Sequence, residues 1–137
     1  DKYDLDKSHV FGATVTKVMR AKDNLEVWGD GSEIRDFLHA DDLVNFIKKA
    51  ILKQKRQYAI YNCGSGKAVT IKQLCNLIVK ISKKPLKINF NKNKPTIAFD
   101  MYLNCSKAKK ELGWEPKIEI ESGIKKTLSW WKENIKS

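Results

Sequence analysis

Apolar positions along the chain fall into blocks whose spacing alternates between the helical and the extended period. Phe11, Val15, Val18 and Met19 recur at helical spacing behind Ser8, whose hydroxyl is expected to cap the first turn. "LEVW" and "IRDFL" read as two short strands around the turn Gly29-Asp30-Gly31, a hairpin leading into a second helix. That helix is expected to be capped by Asp41 or Asp42 and to turn Leu43, Ile47, Ala50 and Ile51 inward. "YAIYNC" is rich in β-forming apolar residues and predicts a well-buried strand that ends at Gly64-Ser65-Gly66. His39 then reads as a half-buried strand end without a chemical role.

The T-x-x-Q of Thr70 and Gln73 is a capping box, so a third helix carrying Leu74, Leu77, Ile78 and Ile81 follows. Pro85 blocks its continuation, and "LKINF" alternates as a strand does. Residues 91–105 give no clear period. "SKAKKELGW" reads as a short helix capped by Ser106 and closed by Gly113, and Ile120, Ile124, Leu128, Trp131 and Ile135 form the stripe of a last amphipathic helix. The pattern predicts an α/β chain without repeats and without an internal domain boundary.

Length and composition agree with this: 137 residues with 42% apolar content suffice for a globular core. No apolar run reaches the roughly 20 residues of a membrane-spanning helix, and no secretory leader is visible. The three Cys are scattered and lack a C-x-x-C pair, which favours buried thiols and a cytoplasmic setting over disulfides, zinc or redox chemistry. The net charge of +11 would suit a nucleic-acid binder, but it consists almost wholly of Lys spread along every predicted element. Only Arg20, Arg35 and Arg56 offer the planar fork that clamps phosphates or reads bases, so a solvated basic surface is the simpler reading and nucleic acid is not favoured.

Two motifs fail on inspection. "GSGKAVT" has Tyr61 where a phosphate-binding loop needs its first Gly, and Ala68 where it needs Ser or Thr, which leaves at most a weak anion contact at the turn amides. Tyr3 and Lys7 have Y-x-x-x-K spacing, but "YDLDK" lacks the apolar face of a helix. No G-x-x-G-x-x-G turn follows any strand, so the chain has no dinucleotide fold of its own.

The phrases "YDLDKSHV", "VWGDGSEIRDFLHADDL", "YNCGSGKAVTIKQL" and "DMYLNCSKAKKELGWEPKIEIESGIKKTLSWW" occur in the order seen in extended short-chain dehydrogenases acting on nucleotide sugars. The resemblance covers nearly the whole chain but only the C-terminal part of such an enzyme, and it is strongest to the GDP-L-fucose synthases. It implies a single substrate-binding lobe over residues 1–137 of an extended Rossmann-type enzyme, with the dinucleotide-binding half absent. The chain's start at Asp1, without Met, fits a piece of something longer.

By the same resemblance, Arg35 binds the nucleotide's diphosphate end, Trp28 and Lys17 contact substrate, and His9 is the acid in epimerising a GDP-linked 4-keto-6-deoxymannose. A planar guanidinium suits a multiply charged oxygen acceptor better than Lys does, and an imidazole can deliver a proton near neutral pH. Each has a plainer reading: a first-turn residue for His9, a salt bridge to Asp36 or Asp42 for Arg35, a core aromatic for Trp28, a solvated helix face for Lys17. The family's K-P-D-G segment, whose Asp contacts the nucleotide, is here "NKPT" with Thr96 in that place, and Lys92 or Lys94 is the only replacement for a second Arg. NADP or NAD would be bound mainly by the missing half, and the isolated chain is expected to be inactive. The resemblance also implies that the second helix and the "YAIYN" strand belong against that half. Their apolar faces are therefore expected to drive self-association into a homo-oligomer. Another epimerase, dehydratase or reductase of the superfamily, or a non-catalytic basic binding module, are the alternatives.

Overall fold

A computed structural model describes residues 2–97 and 99–135. The chain is mixed α/β, with the order α1 (Val10–Arg20), β1 (Asn24–Trp28), β2 (Ile34–Arg35), α2 (Ala40–Lys53), β3 (Val69–Thr70), α3 (Ile71–Ser82), β4 (Lys87–Asn91), α4 (Ser106–Leu112) and α5 (Ile120–Asn134). It forms two compact units: Asp1–Glu33 with Thr70–Phe99 and Glu121–Ser137, and Ile34–Val69 with Asp100–Ile120.

In the first unit β1 and β4 pair in parallel, in the register Leu25 to Ile88 and Trp28 to Asn91. Leu25 and Val27 point inward while Asn24, Glu26 and Trp28 point out, as the period of two requires. Helix α1 packs on α3 and β1. Val15, Val18, Leu74, Cys75, Ile78 and Ile124 are fully buried in this core. The capping box of α3 forms as the sequence predicts: the Thr70 hydroxyl accepts from Gln73 N–H, and the Gln73 side chain accepts from Thr70 N–H. The helix ends before Pro85, with Lys83 in the left-handed region at φ 60°. Lys84 turns its ammonium onto the carbonyls of Val18, Met19 and Ala21, at the C-terminal end of α1, where a cation meets the negative end of the helix dipole.

The second unit is built on Trp114, fully buried with Ala108 and Leu112. Phe46 meets its ring edge-on at 5.1 Å, and its indole N–H donates to the Asp42 carbonyl at 3.2 Å. Gly113, at φ 61°, closes α4 as expected.

Several sequence expectations fail, each for a local reason. Ser8 does not cap α1: its hydroxyl donates back to the Asp4 carbonyl, and His9 is the N-cap residue without a side-chain capping bond. Ser106 is likewise the first residue of α4 rather than its cap, which is Cys105. On α2 the cap is His39, whose Nδ1 accepts from Asp41 N–H at 3.1 Å. Asp42 is buried, and its carboxylate takes the N–H groups of Lys117 (3.1 Å) and Ile118 (2.9 Å). The strands flanking Gly29-Asp30-Gly31 do not pair with each other, because β1 pairs with β4 and β2 with β3. Gly29 (φ 80°) and Gly31 (φ 76°) still supply the turn.

"YAIYNC" is not a strand, since no partner strand lies beside it among the described residues, and Tyr58 and Ile60 are exposed. The inner face expected of α2 is largely open: Leu43, Ile47 and Ile51 are exposed, together with Val44 and Leu52. An open groove of about 520 Å³ runs beside them, lined by Phe46, Ile51, Gln54, Ile60 and Tyr61 among others.

These apolar side chains are open to water in the isolated chain. We expect light scattering well above micromolar concentration to report a species larger than the monomer, and the double substitution Ile51→Lys, Leu52→Lys to shift it toward the monomer. A parent chain that stays monomeric would refute this.

Candidate functional site

The alternation of β1 carries Glu26 and Trp28 to one exposed face, and the parallel pairing carries Asn91 of β4 opposite Trp28. Trp28 is 48% exposed, so it is no core aromatic. The ammonium groups of Lys17, from α1, and Lys94, from the loop after β4, each lie 5.6 Å from its ring centroid. Both are within cation–π range. Lys17 also donates to the Glu26 carbonyl at 3.2 Å, so its head is held at the sheet rather than left to a free helix face.

The Asn91 amide donates to the Glu26 carboxylate at 2.8 Å. This bond, then the charges of Lys17 and Lys94, hold the Glu26 carboxyl below its ordinary range. The loop after β4 closes tightly on the turn: Gly29 N–H donates to the Asn91 carbonyl at 2.9 Å, and a Cβ on Gly29 would meet Thr96 Cγ2 at 2.5 Å. Gly29 is thus required both by its positive φ and by this approach. The result is an exposed indole plate flanked by two ammonium groups, an arrangement that can take a flat ring together with an anion.

The sequence-selected residues distribute unevenly. Lys17 and Trp28 are brought together. His9 lies exposed at the start of α1, outside the set of contacts that joins Lys17, Trp28 and Lys94. Arg35 belongs to the second unit, half-buried in β2, where a guanidinium N–H donates to the Ile34 carbonyl at 2.8 Å. Of the two Lys offered as replacements for a second Arg, Lys94 reaches Trp28, while Lys92 bears on Asp30. Glu26 and Asn91 are additions; the alternation of "NLEVW" announces Glu26 beside Trp28, whereas nothing local announces that β4 pairs with β1.

The rejected motifs have other uses. Residues 2–8 are not helical, and burial pushes the Tyr3 phenol up, opposite to the shift a neighbouring Lys would give a proton donor. The Tyr3 ring packs on Trp130 at 5.3 Å. In Gly64-Ser65-Gly66 the amides of Ser65 (2.6 Å) and Gly66 (3.0 Å) do bind an anion, the carboxylate of Asp36. Among the described residues no cluster of three or more His, Cys, Asp or Glu is placed to hold a metal, and no helix is long and apolar enough to cross a membrane.

In fold, the mixed α/β chain matches Rossmann-type epimerases and reductases of the short-chain dehydrogenase kind. The sequence profile of the GDP-mannose 4,6 dehydratase family matches residues 8–127, and the chain belongs to this family of extended short-chain dehydrogenases/reductases. It is 32% identical over 139 residues to GDP-L-fucose synthase 1 of Arabidopsis thaliana, an alignment covering 98% of this chain and 42% of that protein. Its fold matches a GDP-6-OMe-4-keto-L-xylo-heptose reductase from Campylobacter jejuni with a TM-score of 0.87 and 25% identity, over 96% of this chain and 50% of the other. A GDP-mannoheptose C4 reductase from Campylobacter jejuni with NADP bound matches with a TM-score of 0.80 and 27% identity, over 91% and 45%. The chain therefore spans about half, or less, of the length of these proteins.

Burial pushes the thiols of Cys63 and Cys75 up to about 11. At pH 8 only about one such thiol in a thousand is ionised. Iodoacetamide at that pH should leave both unmodified in the folded chain and label them rapidly in urea, as read by peptide mass mapping. Labelling of either at the unfolded-chain rate would exclude the burial described here.

Proposed function

We propose that residues 1–137 are the nucleotide-sugar-binding portion of an NAD(P)-dependent epimerase/reductase, closest in activity to a GDP-L-fucose synthase and cytoplasmic. The observation that carries this reading is the Trp28 plate with Lys17 and Lys94 over it. An indole face receives the flat or apolar part of a sugar nucleotide, and the two ammonium groups meet its negative charge. Arg35, with its planar fork, is the residue for bidentate contact to the diphosphate. His9, exposed and without a capping bond, is the candidate acid that protonates one face of the enolate during epimerisation.

NADP or NAD would supply the hydride of the reduction. The residues of this chain do not fit that cofactor, since it lacks the glycine-rich turn that receives a pyrophosphate. Its binding is assigned to other parts of the complete enzyme. A second reading is favoured by one observation: Thr96 stands where an acidic contact to the nucleotide is expected. On that reading the complete enzyme is another reductase, dehydratase or epimerase of the superfamily, acting on a related GDP-sugar.

Calorimetric titration of the chain with GDP, UDP and guanosine tests the binding reading. GDP should bind most tightly, Trp28→Ala should weaken it by about tenfold or more, and Lys94→Ala by less. Equal affinity for all three ligands, or indifference to Trp28, would sink it. In the complete enzyme, His9→Gln should abolish epimerisation while binding survives; unchanged epimerisation would remove the acid role of His9.

A further inference from the structure

Arg35 is followed by Asp36, a carboxylate that collects main-chain donors. Asp36 Oδ1 accepts from Ser65 N–H at 2.6 Å, while Oδ2 accepts from Gly66 N–H at 3.0 Å and Leu103 N–H at 3.1 Å. Three main-chain donors from two separate segments thus converge on one side chain. The fit is close enough to dictate sequence: a Cβ on Gly64 would meet Asp36 Oδ2 at 2.6 Å and Leu103 Cβ at 2.9 Å. On the other side of Arg35, Ile34 N–H donates to the Asp100 carboxylate at 2.8 Å and the Ile34 carbonyl accepts from Met101 N–H at 3.1 Å. That same carbonyl accepts from the Arg35 guanidinium.

The backbone of Arg35 is therefore pinned on both sides to residues 100–103, and on one side also to the Gly64-Ser65-Gly66 turn. β2 is only two residues long and has little ladder of its own to hold it. Charge-assisted bonds to a carboxylate are about twice as strong as neutral ones, so the Asp36 clamp outweighs a single ladder bond. We infer that Asp36 is the positioning residue for Arg35. Its carboxylate takes the place of an external anion at the turn amides and fixes the direction in which the guanidinium leaves the chain. An Arg fork gains over Lys only when it is pre-organised, so loss of the clamp should remove that gain. Asn in place of Asp leaves one acceptor and sets an N–H₂ against the remaining donors.

This inference rests on the reading of Arg35 as a diphosphate ligand. The test measures GDP and guanosine affinities by calorimetry for the parent chain, Arg35→Lys, Asp36→Asn and the double variant. Each single variant is expected to weaken GDP by about tenfold and leave guanosine unchanged, with the double variant no weaker than either. Asp36→Glu, which keeps two acceptors on a longer stem, should lie between Asp36→Asn and the parent. It is the variant to read if Asp36→Asn does not fold. Full GDP affinity in the Asp36 variants, with a loss in Arg35→Lys, would overturn the positioning role alone. Simple additivity in the double variant would do the same. No loss in Arg35→Lys would remove the diphosphate reading and the positioning role with it.

Discussion

Loops in this protein are held by aspartate carboxylates that collect main-chain N–H groups. In the second unit, Asp36 binds three amides, Asp42 two and Asp100 one. The segments they tie, residues 64–66, 100–103 and 117–118, have almost no regular structure, so their N–H groups have no ladder to satisfy them. An unpaired buried N–H costs about 1–3 kcal/mol, so Asp36 and Asp42, with two part-buried amides apiece, each offset more than one such penalty. The Trp114 core depends on the same device. Asp42 fixes the chain that follows α4 through its carboxylate and accepts the indole N–H through its carbonyl. The residues that flank Arg35 in the chain are held in this way, Asp36 by its carboxylate and Ile34 through its N–H.

The helices were legible because their signals are local. The T-x-x-Q box, the Gly113 stop and the 3.6-residue stripe of α5 all act within one or two turns. The pairing of strands was not legible, because it is decided by distant partners. "LKINF" pairs in parallel with "NLEVW" across some sixty residues. The Gly-Asp-Gly turn imitates a hairpin signal that a parallel sheet overrides. "YAIYNC" has the composition of a buried strand and the exposure of a loop, and the exposed face of α2 shows the same mismatch. Both are apolar patterns whose complement is not within the described residues, and the membership of this chain in a family of longer proteins gives such patterns a physical context.

For the site, residue identity was more legible than geometry. Trp28 and Lys17 meet, and they do so because α1 packs beside β1 and the strand alternation turns Trp28 outward. His39 took the capping duty expected of Asp41 or Asp42. An imidazole can cap a helix when its Nδ1 is the acceptor, and a buried Asp is worth more where it meets two amides than at a solvated helix start. Asp36 escaped notice as well. Beside an Arg it looks like a salt-bridge partner, whereas its carboxylate collects the amides of Ser65, Gly66 and Leu103 from distant segments.

The basic character of the chain acquires a different meaning at this scale. A net charge of +11 spread over a surface is screened within about 8–10 Å at physiological ionic strength, and alone it distinguishes no ligand. Two ammonium groups held 5.6 Å from one exposed indole are a different matter. Lys17 is tied to a strand carbonyl, and Lys94 is carried by a loop that the approach of Thr96 to Gly29 fixes in place. Both side chains have contacts within the chain itself, which restricts their freedom relative to lysines pointing into water. Glu26 lies close enough to respond to both charges yet is engaged by Asn91, which tempers mutual repulsion of the two cations without filling the face of the ring. What sets this cluster apart from the remaining, solvated lysines is the order that strand register and a glycine turn impose on Lys17 and Lys94 around one indole.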